Sequence, residues 1–239
     1  MFSLHTLKHE LFKKYFVAYL LIITGIFIIV LALGSSILSE VKYYYDKAIG
    51  REYVFVPKGS VPPSVKKSTL KTKTTKTEKR GFLFSKLLAK KVPLKPVDSN
   101  FGIIIEKIGV NAPIIKNVSV TDEDAYFEAL KKGVAHAKGI PGRVGNTYLF
   151  AHSSIEFWKM GPYATVFNQL RRLDTNDVIY VMYRGRAYKY VVKEKFVVKG
   201  FDTSPLLKEY KKDSVLTLQT CDPPGTTLNR LIVRAYLQK

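Results

Sequence analysis

Residues 15–38 form a run of 24 residues without a charged side chain, YFVAYLLIITGIFIIVLALGSSIL. A helix rises about 1.5 Å per residue, so this run would reach about 36 Å, enough to cross a bilayer with some tilt. A cleaved signal peptide is the alternative, but its apolar core is usually only about 7–15 residues long. The sequence therefore predicts a transmembrane helix at 15–38, preceded by a short tail at 1–14.

Positive charge is concentrated in the first part of the chain. The 239 residues carry a net charge of +20; residues 1–97 hold 18 Lys and Arg against 5 Asp and Glu, and residues 98–239 hold 21 against 14. Lysines lie on both sides of the apolar run, so the positive-inside rule leaves its orientation open. A basic chain can attract nucleic acid, anionic lipid or anionic wall polymer, and charge alone does not choose among them.

Residues 39–97 have the composition of a basic, low-complexity linker or stalk. Residues 56–64 are rich in Pro, Gly and Ser, and residues 66–80 consist mainly of Lys and Thr. Such segments have little apolar surface to bury, so we expect an extended chain. The stalk could adhere to anionic lipid or wall polymer, or it could be a solvated spacer, and both readings stay open.

Residues 98–239 have the pattern of a β-rich domain. Short apolar segments alternate with turn residues, as is typical of strands, and two segments have the spacing of helices. The predicted strands are 101–106, 112–115, 146–151, 178–183, 188–198, 214–220 and 231–237, and the predicted helices are 122–132 and 163–173. A closed or nearly closed barrel with short helices in its connections fits this pattern.

Cys221 is the only cysteine, so no disulfide can form within the chain. A lone cysteine is most often an inert, buried thiol. Cys221, however, ends a predicted strand just before a Pro-Pro-Gly turn, where a side chain can reach solvent. Strand alternation places it on one face with Thr217 and Gln219, and this half-polar face does not have the composition of a core.

His152 and Arg230 are also at strand ends. His152 follows an apolar strand and enters a polar loop, and histidine is the side chain best suited to proton transfer near neutral pH. Arg230 enters the last strand and could stabilise a developing oxyanion, although Arg234 on the same face competes with it. Together, a thiol, an imidazole and a guanidinium suffice for acyl transfer. Sequence alone does not bring the three together.

These residues carry a resemblance to the sortases, the cell-wall sorting transpeptidases. The Thr-Leu-x-Thr-Cys signature is present at 217–221, with a histidine about 70 residues before the cysteine and an arginine 9 residues after it. A Pro-Gly-x-x-Gly-Asn turn at 141–146 and the segment IIIEKIGVNAPII also match the family. The resemblance covers roughly residue 100 to the C-terminus.

The resemblance implies an all-β fold, an eight-stranded β-barrel over residues 98–239. It implies Cys221 as nucleophile, His152 as general acid and base, and Arg230 as stabiliser of the substrate carbonyl, with Ala151 and Thr220 in the substrate-binding set. The implied reaction cleaves an LPxTG-like sorting motif between Thr and Gly through a thioacyl enzyme. An amine from the peptidoglycan precursor or a pilin subunit then accepts the acyl group.

The resemblance also implies partners and a location. The partners are surface proteins that carry a C-terminal sorting signal. The catalytic domain lies outside the cytoplasm on a single-pass membrane anchor, which makes residues 1–14 a cytoplasmic N-terminal tail. No cofactor is implied. The calcium site of some sortases is not expected here, because residues 133–152 contain no acidic side chain. The loop at 200–213 is predicted to help form the peptide groove.

Two other functions remain as alternatives. A membrane-tethered β-barrel that binds anionic polymer or nucleic acid without catalysis would explain the basic stalk, but it leaves the placement of Cys221, His152 and Arg230 as coincidence. An L,D-transpeptidase-like enzyme would carry a Ser-His-Gly-Cys stretch, which this sequence lacks. Hydrolysis of the acyl enzyme by water stays possible as a side reaction.

Overall fold

A computed structural model describes residues 4–57, 91–153, 161–163 and 165–238, without the side chains at 4–14, 29 and 31–37. Eight strands form a closed barrel in the order β10-β8-β7-β3-β4-β5-β6-β9. They are β3 (Phe101–Ile105), β4 (Val110–Ile115), β5 (Val134–Lys138), β6 (Gly145–Phe150), β7 (Val178–Tyr183), β8 (Arg186–Lys199), β9 (Ser214–Asp222) and β10 (Asn229–Leu237). The predicted eight-stranded barrel is confirmed.

The core fills the inside of the barrel with aliphatic and aromatic side chains from the strands. Ile103, Leu149, Leu216 and Leu218 are fully buried in this cluster. The strands are rich in β-branched and aromatic residues, which pack well on a pleated surface. Because successive side chains of a strand point to opposite faces, every other residue of β6, β9 and β10 faces away from this core.

Short helices occupy the connections, as predicted. Helix α2 (Glu123–Lys132) joins β4 to β5, and α3 (Ser204–Leu207) lies between β8 and β9. The side chain of Asp122 caps α2 by accepting a hydrogen bond from the backbone N–H of Ala125 at 3.0 Å. Acidic residues in the first turn and lysines in the last turn also suit the helix dipole.

Strand β5 was not among the strands predicted from the residues. Its sequence, VAHAK, is short and contains two alanines, so neither alternation nor β-propensity marks it as a strand. It is held by its neighbours instead, pairing parallel with β4 and antiparallel with β6. The predicted helix at 163–173 is wrong in its described part, which consists of turns at 165–169 and a short 3₁₀ helix, Leu170–Arg172.

The N-terminal region differs from the predicted tail, span and stalk. Helix α1 runs over Leu4–Ala48 and so extends beyond 15–38 at both ends. Strands β1 (Glu52–Phe55) and β2 (Lys91–Leu94) pair in parallel inside the predicted stalk. The Lys/Thr-rich stretch at 66–80 lies outside the described residues. Within the part of the chain that the structure describes, no helix combines the length and apolarity needed to cross a membrane.

The described parts of the predicted stalk pack on the barrel. Phe55 stacks on Tyr180 of β7 with ring centroids 4.5 Å apart, and its backbone N–H donates to Glu106 Oε1 at 2.6 Å. At the end of α1, Glu40 forms ion pairs with Arg171 and Arg172. The stalk expectation therefore fails here, because aromatic and charged side chains at 40–57 find partners on the barrel.

A buried hydrogen bond fixes the register of β6 on β9. Thr217 Oγ1 donates to Asn146 Oδ1 at 2.7 Å, and both side chains are buried. The amide nitrogen of Asn146 also donates to the carbonyl oxygens of Pro205 and Lys208. Asn146 thereby connects two strands with the β8–β9 connection.

We expect Asn146→Ala to lower the free energy of unfolding by about 1–3 kcal/mol, because it leaves the buried Thr217 hydroxyl without its acceptor. Thr217→Val alone should cost a similar amount, by leaving Asn146 Oδ1 without its donor. The double variant should cost less than the sum of the two, by about 1 kcal/mol. Thermal unfolding of the full chain in detergent micelles measures this; strictly additive losses would contradict the coupling.

Candidate active site

The three predicted catalytic residues lie on three adjacent strands. Arg230 on β10 is the direct cross-strand partner of Cys221 on β9. Strand β6 runs parallel to β9 on its other side, with Phe150 beside Gln219. Continuing that register by two residues places His152 level with Cys221. Strand pairing therefore brings His152, Cys221 and Arg230 into one row at one end of the barrel.

This row lies on the outer face of the barrel. Leu216 and Leu218 belong to the core, so the alternate residues Thr217, Gln219 and Cys221 point outward. The half-polar face predicted from the sequence is therefore a covered outer surface and not part of the barrel interior. Farther from Cys221 this surface is closed over, and Val215 and Thr217 are fully buried.

The thiol of Cys221 is half-buried beside a cation. Nη1 of Arg230 lies 3.6 Å from Sγ of Cys221 and also donates to the carbonyl oxygens of Thr227 and Asn229, each at 3.2 Å. Burial raises the pKa of the Cys221 thiol, while Arg230 and a backbone hydrogen bond from Ser153 act in the opposite direction. The guanidinium is thus placed to stabilise a thiolate or an oxyanion formed next to it.

Arg234, the competing arginine, is engaged elsewhere. Its guanidinium pairs with Glu194 at 3.0 Å and lies over the ring of Phe196. It is the cross-strand partner of Thr217 and not of Cys221. The structure therefore places Arg230, and not Arg234, beside the thiol.

The backbone around His152 is tied to the loop and strand of Cys221. The N–H of Ala151 donates to the carbonyl oxygen of Gln219 at 3.1 Å, and the Thr220 hydroxyl donates to the carbonyl oxygen of Ala151 at 3.0 Å. On the other side of His152, the carbonyl oxygen of Ser153 accepts from the N–H of Gly225 at 2.6 Å. Hydrogen bonds of the two neighbouring residues, Ala151 and Ser153, thus fix the backbone of His152 on both sides.

Ala151 and Thr220, both predicted to bind substrate, are buried in this arrangement, each 4% exposed. Their contact with each other supports the positions of His152 and Cys221. Direct contact of either residue with a substrate stays a prediction.

The imidazole of His152 is largely buried against aromatic rings. The ring of Phe127 stacks on it at 5.5 Å between centroids, and the ring of Tyr126 meets it edge-on at 5.8 Å. Nε2 is buried and makes no hydrogen bond within the described residues. Burial lowers the pKa of His152 to about 4, so the free imidazole is neutral at pH 7.

Sequence reasoning missed Tyr126 and Phe127, although a signal was present. Ala129 and Leu130 are the buried residues of α2, so the helix packs one face on the barrel. Two adjacent aromatic residues near the start of such a helix could be expected to reach its neighbours. Their target could not be read from the sequence, because it depends on how α2 crosses the end of β6.

His136 lies outside the site, on β5. Its Nδ1 accepts from the backbone N–H of Asn117 at 3.2 Å, and its Nε2 lies 2.8 Å from the carbonyl oxygen of Gly139. With both ring nitrogens bonded, His136 is a structural residue. Among the described residues, no group of three or more His, Cys, Asp or Glu side chains is arranged to hold a metal ion.

The loops beside Arg230 expose apolar side chains. Lys199, the last residue of β8, pairs with Asn229, and the N–H of Gly200 donates to the carbonyl oxygen of Leu228 at 2.9 Å. Phe201 and Leu228 follow at this junction, 87% and 69% exposed. The start of the predicted groove loop at 200–213 therefore lies next to the row formed by His152, Cys221 and Arg230, with apolar surface available.

Gln219 is a second residue of the outer face with a defined orientation. Its Oε1 accepts from the hydroxyl of Tyr148 at 2.5 Å, and Tyr148 is almost fully buried. This bond fixes one end of the amide, two residues from Cys221 on the same face. The sequence placed Gln219 on this face, but it could not show the partner.

Comparison with known proteins gives one consistent family. A model of the sortase domain matches residues 103–238, more than half of the chain. Sortase C-1 from Actinomyces oris is 30% identical over 60% of this chain and 76% of its own length, with a TM-score of 0.48. None of the proteins with curated functional descriptions matches the chain.

Two further solved structures resemble this chain about as closely as sortase C-1 does. The sortase D5 transpeptidase from Clostridium perfringens is 26% identical over 61% of this chain and 82% of its own, with a TM-score of 0.48. The lid mutant of sortase A from Corynebacterium diphtheriae is 27% identical over 59% of this chain and 71% of its own, with a TM-score of 0.49.

We expect alkylation of Cys221 by iodoacetamide to accelerate about tenfold per pH unit and to continue rising past pH 9, because the thiolate is the nucleophile and burial raises the pKa of this thiol. Arg230→Gln removes the nearby cation, so the curve should move to higher pH. Arg234→Gln is the matched control and should leave the curve in place. A rate that levels off below pH 8 would contradict the raised pKa.

Proposed function

The chain belongs to the sortase family, and on that premise we propose that it is a cysteine transpeptidase acting on an LPxTG-like sorting motif. In this proposal the enzyme cleaves the motif between Thr and Gly and transfers the acyl group to an amine. The observation that carries the proposal is the contact of Arg230 Nη1 with Cys221 Sγ at 3.6 Å, in the same strand row as His152.

The first half-reaction forms the thioacyl enzyme. The thiolate of Cys221 attacks the carbonyl carbon of the substrate Thr, and the carbonyl oxygen takes up negative charge. Arg230 stabilises that oxyanion with its fixed guanidinium. The C–N bond to Gly then breaks, and the imidazolium of His152 gives its proton to the leaving amine, so that an uncharged amino group departs.

The second half-reaction reverses these roles. The incoming amine attacks the thioester carbon, and the neutral His152 takes a proton from the attacking nitrogen. Arg230 again stabilises the oxyanion, and the thiolate of Cys221 leaves as the new peptide bond forms. The reaction balances with one peptide bond broken and one formed, so no cofactor is needed for it.

Burial sets the starting protonation states. The raised pKa of Cys221 and the pKa of His152 near 4 both favour the uncharged thiol and imidazole at neutral pH. The reactive thiolate and imidazolium therefore form together by transfer of one proton between them. Arg230 favours that transfer, because it is the cation next to the sulfur.

The exposed apolar side chains beside Arg230 offer a binding surface for an extended peptide that carries an apolar side chain. Phe201 and Leu228 would contact the substrate side chain that precedes the scissile bond by a few residues. Burial of an exposed large apolar side chain is worth about 1.5–3 kcal/mol. The loop at 200–213 thus contributes to the choice of sorting motif in this proposal.

We further propose that residues 15–38, whose side chains at 29 and 31–37 lie outside the described residues, anchor the enzyme in the cell membrane with the barrel outside the cytoplasm. Support comes from the uncharged segment 15–38 and from its side chains, since Leu21, Ile23 and Phe27 are each at least 60% exposed. Large exposed apolar surface on a helix calls for an apolar environment. The acceptor amine would come from the peptidoglycan precursor or a pilin subunit, and the acyl donors would be surface proteins with a C-terminal sorting signal.

The full chain in detergent micelles should cleave members of a fluorogenic LPxTG-type peptide library. Cys221→Ala should abolish turnover, and Arg230→Ala should lower the rate on the order of 10²-fold or more, as expected for a lost oxyanion donor. Arg234→Ala, on the same face of the same strand, is the matched control and should remain near the wild-type rate. Full turnover by Cys221→Ala would exclude the mechanism, and a polymer-binding protein without catalysis would cleave no peptide.

The single cysteine also makes the location testable. A membrane-impermeant maleimide should label Cys221 in intact cells, because the proposed anchor places the barrel outside the cytoplasm. Cys221→Ala controls for labelling at other groups, and permeabilised cells give the maximal signal. Labelling that requires permeabilisation would contradict the proposed orientation.

A further inference from the structure

Two aromatic side chains from α2 enclose the imidazole of His152 on different sides. Phe127 lies against it with an interplanar angle of 29° and a centroid distance of 5.5 Å. Tyr126 meets it at 82° and 5.8 Å. These contacts join a helix of the β4–β5 connection to a residue at the end of β6.

The two aromatic residues are themselves fixed. The ring of Tyr126 stacks on Phe150 at 5.1 Å and 16°, and Phe150 is a buried residue of β6. Helix α2 is held at its start by the Asp122 cap and along its length by the buried Ala129 and Leu130. A rigid helix therefore presents both rings to His152.

Aromatic packing is the contact made by the imidazole of His152 within the described residues. The buried Nε2 has no hydrogen-bond partner there, and the rings of Tyr126 and Phe127 lie against the imidazole. Catalytic histidines are commonly oriented by a hydrogen bond from their second ring nitrogen to a carboxylate or carbonyl oxygen. Among the described residues, the rings of Tyr126 and Phe127 are in a position to orient the imidazole.

We propose that Phe127 and Tyr126 are positioning residues that hold the imidazole plane of His152 and exclude water from it. This inference rests on the proposed function, in which His152 transfers the proton. Aromatic pairs of this kind contribute about 0.5–1.5 kcal/mol beyond the area they bury. The flat face of Phe127 also attracts the imidazolium that forms during the reaction, as other cations are attracted to aromatic faces.

Among the described residues, burial is the cause of the lowered pKa of His152, and the nearby ionisable groups are few. Cys221 on β9 and Arg230 on β10 lie in the same row, and the phenol of Tyr126 comes from α2. The pKa of Tyr126 is raised to about 12, chiefly by burial, so the phenol stays neutral. Loss of the Phe127 ring should therefore admit water and make protonation of the imidazole easier.

The test compares Phe127→Ala, Phe127→Leu and Phe127→Tyr in the full chain in detergent micelles. Glu128→Ala is the control on the same helix, because its exposed side chain forms an ion pair with Lys131 of the same helix. Two measurements are made on each: kcat and KM with the best library peptide, and the titration of [13Cε1]-histidine signals by NMR. The signal of His136, bonded within β5 and its loop, is the internal reference.

Phe127→Ala should lower kcat on the order of 10-fold to 10²-fold at unchanged KM, because the imidazole of His152 is no longer held in the orientation that proton transfer requires. The pKa of His152 should rise from about 4 toward its ordinary value of 6.5, while the titration of His136 stays in place. Phe127→Leu, which keeps the burial without the flat ring, should lower kcat while the pKa of His152 stays low. Phe127→Tyr should restore both properties.

Wild-type kcat together with an unshifted His152 titration in Phe127→Ala would overturn the inference. A rise in KM alone would also overturn it, because Phe127 would then contact the substrate and not position the histidine. If the wild-type chain cleaves no peptide, the proposed function fails, and the NMR titration still decides whether Phe127 controls the environment of His152.

Discussion

The parallel pairing of β6 with β9 is the constraint on which the site depends. These strands are about 70 residues apart in sequence, yet their register decides whether His152 comes level with Cys221. A slip by one residue would turn the outer face inward and carry Cys221 into the core. The buried bond between Asn146 and Thr217 opposes such a slip, since both groups would lose their partners.

Burial of the site has two opposite effects on the charged groups in it. It makes the electrostatic effect of Arg230 on the sulfur stronger than it would be in water, because the surroundings are less polar. It also disfavours the charged forms of Cys221 and His152, so that the resting site is largely uncharged apart from the guanidinium.

The barrel could be predicted from the sequence because its strands alternate apolar and polar side chains and a specific motif points to the same family. Cys221 and Arg230 each adjoin a recognisable strand, so they could be selected as candidates, but their pairing was visible only in the structure. Strand β5 and the ring contacts of His152 could not be predicted, since they depend on tertiary packing. The stalk prediction failed at 40–57, where composition does not reveal that Glu40 and Phe55 have partners on the barrel.

The ion pairs of Glu40 with Arg171 and Arg172 join the end of α1 to the segment that precedes β7. With α1 anchored as proposed, these ion pairs would keep the barrel from swinging freely on a tether. The row of His152, Cys221 and Arg230 would then stay at a set height and tilt above the lipid surface. Under the proposed function, a protein awaiting transfer would have to present its sorting motif at that height, so geometry relative to the bilayer would become a criterion of selection in addition to the peptide sequence.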